Sequence, residues 1–387
     1  ETHNLSVSKL EKYSACPFAY FIQYGLKAQE RKEYSFAAPD LGTFIHNIMY
    51  EFSKSLEKDG LHWNQINEAY IDKKVNSIVD FMVLQIPGFI LNSSPRYKYL
   101  SYRLKKMLMA AINIIAKQIK SGEFEPIDYE VNFGQTGKYP PIRIILEDGT
   151  QINLIGQIDR IDEFDEGDDR YIRIIDYKSS AKDINLNEVL AGLQLQLITY
   201  LDAVCEEKDV IPAGVLYFGL TEPKLDKVKN AKNITDEEVE QKIREHFRMN
   251  GLVLAEMNVI NMMDNNLKDG EKSTTIPVKL KKDGSMDKTS KVVSRKEFEI
   301  LQKYVKKTLG DISKEILDGN IDIKPYYNVK NKRKPCEYCV YGSICNFKKG
   351  FYGNDYNYID NLEKDYILEC MNFRWTLGTG VKVHKYT

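Results

Sequence analysis

No run in this 387-residue sequence approaches the roughly 18 consecutive apolar residues that a membrane-spanning helix requires, so no membrane span is expected. The opening ETHNLSVSKLEKY has neither the basic region nor the apolar core of a secretory leader. It starts on Glu1 rather than Met, and the expectation is an excised fragment of a soluble, cytoplasmic protein. Charge of one sign is not in excess either, with 55 basic against 56 acidic residues. Any nucleic-acid binding must therefore come from local patches rather than from the field of the whole molecule. No GxxxxGKS or GxxxxGKT occurs, which removes the loop that cradles the phosphates of ATP. Internal repeats are also missing. With only six cysteines but 43% hydrophobic residues, the chain is expected to fold on an apolar core without disulfides.

What is present is a change of period along the chain. Helical apolar spacing covers residues 5–24, 40–59, 64–83 and 98–120, with Pro and Gly punctuation between them. From about residue 125 the runs EPIDYEVNF, IRIILE, QINLIGQIDRIDEF and RYIRIIDYK are β-branched and separated by turn residues such as EDGT and DEGDD. Residues 186–206 return to helical spacing, IPAGVLYFGL at 211–220 reads as a buried strand, and 234–248 and 294–318 are helix candidates. This order is that of an α/β or α+β core, taken as α/β in a single domain over 1–387. Within it, 1–120 is a helical N-terminal part, 121–264 the catalytic core, 265–295 a lysine-rich hairpin or mobile arm, and 296–387 a C-terminal helix with a cysteine segment. Two basic patches stand out. Residues 266–296 carry nine Lys or Arg against four acids, and KPYYNVKNKRK at 324–334 carries five basic residues beside two tyrosines. Each patch reads equally well as a solvated loop or a nucleic-acid contact.

In RIIDYKSS the strand period of two puts Asp176 and Lys178 on one face, with Tyr177 between them on the other. The upstream run LIGQIDRID ends similarly on Asp159, with Gly156 permitting close backbone approach. The short acidic link between the two runs favours a hairpin, which brings Asp159 and Asp176 together at one end of a sheet. Adjacent carboxylates repel unless a cation lies between them. A hard divalent cation such as Mg²⁺ takes oxygen ligands, keeps several waters and can orient and acidify one of them against a phosphodiester. Lys178 would orient that water, stabilise charge or, with its pKa lowered, act as a base; spacing leaves these roles open. Arg160 and Asp162 fall on the opposite parity from Asp159 and are expected to form a surface ion pair. Gln196 and Tyr200 in QLITY stand at i and i+4 on one helix face. His46 in LGTFIHNIMYEF reads from spacing alone as a core histidine, and Glu130 carries the weakest local signal of these residues.

Three of the six cysteines form C-x-x-C-x5-C in KPCEYCVYGSIC, namely Cys336, Cys339 and Cys345. In an intracellular chain that spacing points to a metal or cluster rather than disulfides. Of the remaining three, Cys16, followed by Pro17 in an aromatic stretch, is chosen as fourth ligand. Four thiolates suit tetrahedral Zn²⁺ or a 4Fe-4S cluster, and spacing does not discriminate. Either would close a loop of about 320 residues, removing roughly 5 to 6 kcal/mol of unfolded-chain entropy by the loop-closure relation applied to disulfides.

Taken in order, LSVSKLEKYSACPFAYF, LGTFIHNIMYEF, GQIDRID, IIDYKSS, QLITY and the cysteine triplet resemble the RecB-like branch of the PD-(D/E)xK nucleases, as found in bacterial AddAB-type helicase-nucleases. The resemblance spans nearly the whole chain. It implies a restriction-endonuclease-like α/β core, a central mixed sheet flanked by helices, with an iron-sulfur clasp joining the terminal segments. It also implies a metal set of His46, Asp159, Asp176 and Tyr177 holding Mg²⁺ or Mn²⁺, with Lys178, Gln196 and Tyr200 in support. The cluster becomes 4Fe-4S on Cys16, Cys336, Cys339 and Cys345. The implied activity is exonucleolytic hydrolysis of single-stranded DNA during double-strand-break processing, with an AddA-type helicase-nuclease subunit as partner. The competing expectation is a non-catalytic DNA-binding or scaffolding iron-sulfur module of a helicase complex.

Overall fold

The computed structural model describes residues 2–28, 38–86, 91, 93–207, 209–223, 235–351 and 353–377. Ten strands are described: β1 (Thr2–Ser6), β2 (Glu125–Phe133), β3 (Ile142–Ile145), β4 (Gln151–Glu166), β5 (Asp169–Lys178), β6 (Ile211–Gly219), β7 (Asn250–Leu254), β8 (Val292–Val293), β9 (Tyr326–Asn328) and β10 (Asn357–Ile359). The helices are α1 (Val7–Ala15), α2 (Pro17–Tyr20), α3 (Ala38–Asp59), α4 (Glu68–Gln85), α5 (Pro95–Lys120), α6 (Leu186–Leu190), α7 (Gln196–Glu207), α8 (Asp236–His246), α9 (Met257–Met263), α10 (Arg295–Leu317), α11 (Gly342–Cys345) and α12 (Lys364–Leu377). The expected mixed sheet flanked by helices is present. No described helix is long and apolar enough to cross a membrane.

Strand β4 organises the sheet. Its first half pairs in parallel with β1 and antiparallel with β3, and its second half pairs antiparallel with β2 and β5. Gly156 sits at the changeover, opposite Phe133, where an added Cβ would lie 2.6 Å from the Phe133 ring and 3.2 Å from that of Tyr200. Glycine is used there for close approach, as the sequence suggested. The sheet continues through β6, parallel to β5, then β7 and β8. A parallel neighbour demands a crossover, and α6 and α7 supply it. Helix α7 packs on β5 and β6, with α10 behind it, while α3 lies against β2 and α4 against α5.

Three sequence expectations need correction, and one strand was missed. The expected helix over 5–24 begins only at Val7, because Leu5 and Ser6 belong to the edge strand Thr2–Ser6, for which β4 offers a free ladder that local spacing cannot reveal. Residues 186–206 are two helices, broken where Gly192 (φ 80°) and Gln194 (φ 54°) take left-handed conformations. Strand β7 was not foreseen. Of the two readings of the lysine-rich 265–295 segment the mobile arm is overturned and the hairpin is not, since Ile276, Val278 and Leu280 are buried and Ser273 bonds Asp264 at 2.6 Å. Its lysines face solvent while its alternating aliphatics close the core, with two isolated antiparallel bridges along it. Residues 234 and 378–387, parts of the expected C-terminal and 234–248 segments, lie outside the described residues.

Candidate metal and nuclease site

The β4–β5 hairpin turns through Gly167 (φ 64°), and its register pairs Arg160 with Ile175. One step further along the same register, Asp159 faces Asp176. Both carboxylates are buried, at 7% and 1% exposure. Asp159 Oδ2 accepts the Tyr177 main-chain N–H at 2.7 Å, which locks it against the neighbouring strand. Helix α3 brings His46 to the same end of the sheet, where its Nδ1 is 3.4 Å from both Asp159 Oδ2 and Glu130 Oε1. Glu130 projects from the middle of β2 with φ 46°, a conformation that costs a residue with a Cβ about 1–3 kcal/mol and that cross-strand pairing must hold in place.

His46, Glu130 and Asp159 place one ligand atom each within 4.8 Å of one another, the spacing a single metal ion needs. Burial works against charge on His46, but hydrogen bonds and charges from Asp159 and Glu130 prevail and its pKa rises to about 10. An imidazolium thus occupies the cationic role between the carboxylates. Asp176 is pushed up to about 6, first by burial and then by the Asp159 charge, against the pull of Lys178. Lys178 Nζ stands 2.6 Å from Asp176 Oδ2 and forms an ion pair with it. Two buried aspartates with a histidine and a glutamate at the same end of the sheet offer the oxygen and imidazole donors that suit a divalent cation.

The other expected residues meet around Lys178. Its ammonium donates to Gln196 Oε1 at 3.5 Å, and Gln196 Nε2 donates to the Tyr200 hydroxyl at 2.6 Å, as their i, i+4 spacing required. Two residues without a sequence signal join them. Glu11 of α1 accepts main-chain N–H groups of Leu195 and Gln196 at 2.6 and 3.0 Å, so it caps the helix that carries Gln196. Burial pushes the Glu11 carboxyl up, against the pull of Lys182 and Lys178. Lys182 lies 4.8 Å over the Tyr217 ring, with Lys178 at 5.9 Å from the same ring. Burial, then the Lys178 charge, lowers its pKa.

The reverse of these strands corrects one expectation. Arg160 and Asp162 form a bidentate pair at 2.6 Å, joined by Arg173 at 2.8 Å, and all three are at most 2% exposed. It is no surface pair, because the group is buried in the core, with Phe124 4.8 Å from the Arg173 guanidinium. The Tyr177 phenol also turns here, within 3.4 Å of Arg160. Only the main chain of Tyr177 remains to face a metal.

The four cysteines assemble at the far end of the chain's course. Cys16 is buried with Ala19, Ile22 and Tyr341, and Cys339 packs against them. The Tyr341 hydroxyl donates to Ala28 O at 3.1 Å, tying the terminal segments together. Burial raises the Cys16 thiol, while main-chain N–H groups of Ala19, Lys324 and Phe18 directed at it pull the other way. Cys336 is pushed up to about 11 by burial and then by the charges of Cys16, Cys339 and Cys345. Those neighbours place all four thiols around one spot, and a set of thiolates with N–H donors fits a cationic centre.

A mixed sheet with paired carboxylates and a lysine at one end of adjacent strands is the PD-(D/E)XK fold. The chain belongs to the PD-(D/E)XK nuclease superfamily, whose family profile matches residues 4–346. It is similar to the B subunit of the ATP-dependent helicase/deoxyribonuclease of Clostridioides difficile, 50% identical over 378 residues that cover 96% of this chain and 32% of that protein. The protein of the same name from Thermoanaerobacter sp. is 47% identical (94% of this chain, 32% of the relative), and that of Clostridium tetani 42% (95% and 32%). The chain therefore spans about a third of the length of these relatives.

Proposed function

We propose that this chain is a divalent-metal-dependent deoxyribonuclease that cuts single-stranded DNA, working as the nuclease part of a helicase-nuclease subunit. The observation that carries the reading is the convergence of His46, Glu130 and Asp159 within one metal's reach, beside the Asp176–Lys178 pair. His46, Asp159 and Asp176 would hold Mg²⁺ or Mn²⁺, with Glu130 as a further oxygen donor and the main chain of Tyr177 alongside. The metal, when bound, supplies an acidified water and neutralises phosphate charge. Lys178, held between Asp176 and Gln196, orients that water or meets the charge that develops on the phosphate. Gln196, Tyr200 and Glu11 keep the lysine in place.

The names of the relatives support a place in a helicase-deoxyribonuclease, and a separate AddA-type subunit would deliver the strand. Cys16, Cys336, Cys339 and Cys345 would hold a 4Fe-4S cluster with a structural role. Iron and zinc analysis of anaerobically purified protein decides this, and one zinc with no iron would reject the cluster.

The test of the activity is cleavage of end-labelled single strands with Mg²⁺. Asp176→Ala should lose at least a hundredfold in rate while keeping the parent's circular dichroism. An Asp176→Ala variant that cuts like the parent would sink the assignment. The lysines and tyrosines at 324–334 favour a second reading, a DNA-binding scaffold. DNA affinity without cleavage in either Mg²⁺ or Mn²⁺ would select it.

A further inference from the structure

The first half of α5 carries an exposed face that the metal site does not use. Residues 95–106, PRYKYLSYRLKK, contain five basic residues and no acid. Tyr99 and Tyr102 are 62% and 56% exposed, on a helix whose remaining apolar residues turn inward from Leu104 onwards. Lys105 pairs with Asp80 and Arg103 with Glu222, which leaves Arg96, Lys98 and Lys106 beside two exposed rings on one helix face, a combination suited to a partner with both π-faces and negative charge. Arg96, Lys98 and Lys106 make no ion pair among the described residues. Arg103 lies 5.9 Å from the Tyr99 ring and pairs with Glu222.

That last pair gives the face its position. Strand β6 runs parallel to β5 with Gly219 level with Lys178, and Leu220 N–H donates to Lys178 O at 2.7 Å. Glu222 follows three residues after Gly219, at most about 11 Å away along the chain. The Arg103–Glu222 pair therefore ties the aromatic face to the segment that follows β6, at the end of the sheet that carries Asp176 and Lys178.

We infer that Tyr99 and Tyr102, flanked by Arg96, Lys98 and Lys106, form a stacking ledge for single-stranded DNA that leads the strand to the Asp159–Asp176 site. The chemistry fits that occupant over a duplex. Exposed rings stack on the faces of unpaired bases, which a duplex hides, while the cations follow the phosphates without reading sequence. The ledge extends the nuclease reading above and rests on it.

The experiment uses two substrates and one inert background. In the Asp176→Ala protein, fluorescence anisotropy with labelled thirty-nucleotide oligothymidylate should show Tyr99→Ala/Tyr102→Ala weakening affinity at least tenfold, and Tyr99→Phe/Tyr102→Phe restoring most of it. Arg96→Gln and Lys98→Gln should each reduce the slope of affinity against salt by about one. In the active protein, the ratio of kcat/KM on the long strand to that on a dinucleotide should fall at least tenfold with the double alanine variant. Unchanged affinity and ratio would overturn the ledge, and so would an equal loss on duplex DNA. A parent that cuts neither substrate would instead overturn the nuclease reading, so the two failures are distinct.

Discussion

His46 and Asp176 hold their protons at opposite ends of the useful pH range. The imidazole, raised to about 10 by Asp159 and Glu130, is charged at pH 8, whereas Asp176, raised to about 6 chiefly by burial, is ionised there. In the metal-free protein the His46 contribution to stability is complete below about pH 6.5 and is lost as pH rises toward 10. A metal ligand must be neutral imidazole or carboxylate, so binding expels whatever proton is present. Calorimetry of Mn²⁺ binding in buffers of different ionisation enthalpy should therefore show about one proton released at pH 8, and more near pH 6, where Asp176 is half protonated. Affinity should weaken as pH falls through about 6. His46→Ala should abolish the release at pH 8, and Glu130→Gln should weaken Mn²⁺ about tenfold. A parent that releases no proton at pH 8 would remove His46 from the metal set. At this scale sequence saw unevenly. The phasing of Asp176 and Lys178 was legible because a strand alternates faces, but Glu130 was not. Its carboxylate reaches His46 only because β2 pairs with β4 and holds φ 46°.

Helix α7 shows how an element transmits order to the site. It begins at Gln196, directly after a left-handed break, so its first N–H groups have no preceding turn to bond. Glu11 accepts two of them from another helix. Glu11→Ala should cost about 1–2 kcal/mol, visible as a lower Tm, the range found for lost helix caps. It should also lower kcat more than KM, because Gln196 no longer holds Lys178. Glu11→Gln keeps an accepting oxygen and should recover most of both. An alanine variant with parental Tm and kcat would refute the capping role. The i, i+4 pair of Gln196 and Tyr200 was readable in QLITY. The cap was not, because it joins residues 184 and 185 positions apart.

Across the whole molecule, the terminal segments meet. Tyr13 donates to Asn320 O at 3.1 Å, Tyr341 to Ala28 O, and Cys16 packs against Cys339. The cluster proposed there would close about 320 residues of chain, an upper stabilisation of roughly 5 to 6 kcal/mol from loop-closure entropy. Cys339→Ser, or removal of iron by an anaerobic chelator, should lower Tm by several degrees and expose 1–28 to protease before the β-sheet. A parental Tm after complete iron loss would show that the clasp is not structural. The buried Arg160–Asp162–Arg173 group acts at the same scale. Two guanidiniums and one carboxylate in the core beside β4 and β5 leave Arg173 Nη1 without a partner among the described residues, and their burial is costly unless offset by close pairing.

The sequence alone determined what short periods encode: the β4–β5 hairpin that brings Asp159 opposite Asp176, the shared face of Asp176 and Lys178, the Gln196–Tyr200 pair, and the order of helical and strand regions. These follow from repeats of 2.0 and 3.6 residues, which neighbouring residues carry by themselves. Tertiary structure alone decided the edge strand β1, the break before α7 and the packing of 265–293. It also decided the burial of Arg160 with Asp162 and the meeting of His46, Glu130 and Asp159. Each of these depends on which strand finds which edge and which face is covered, choices made between segments tens to hundreds of residues apart and therefore absent from any local pattern.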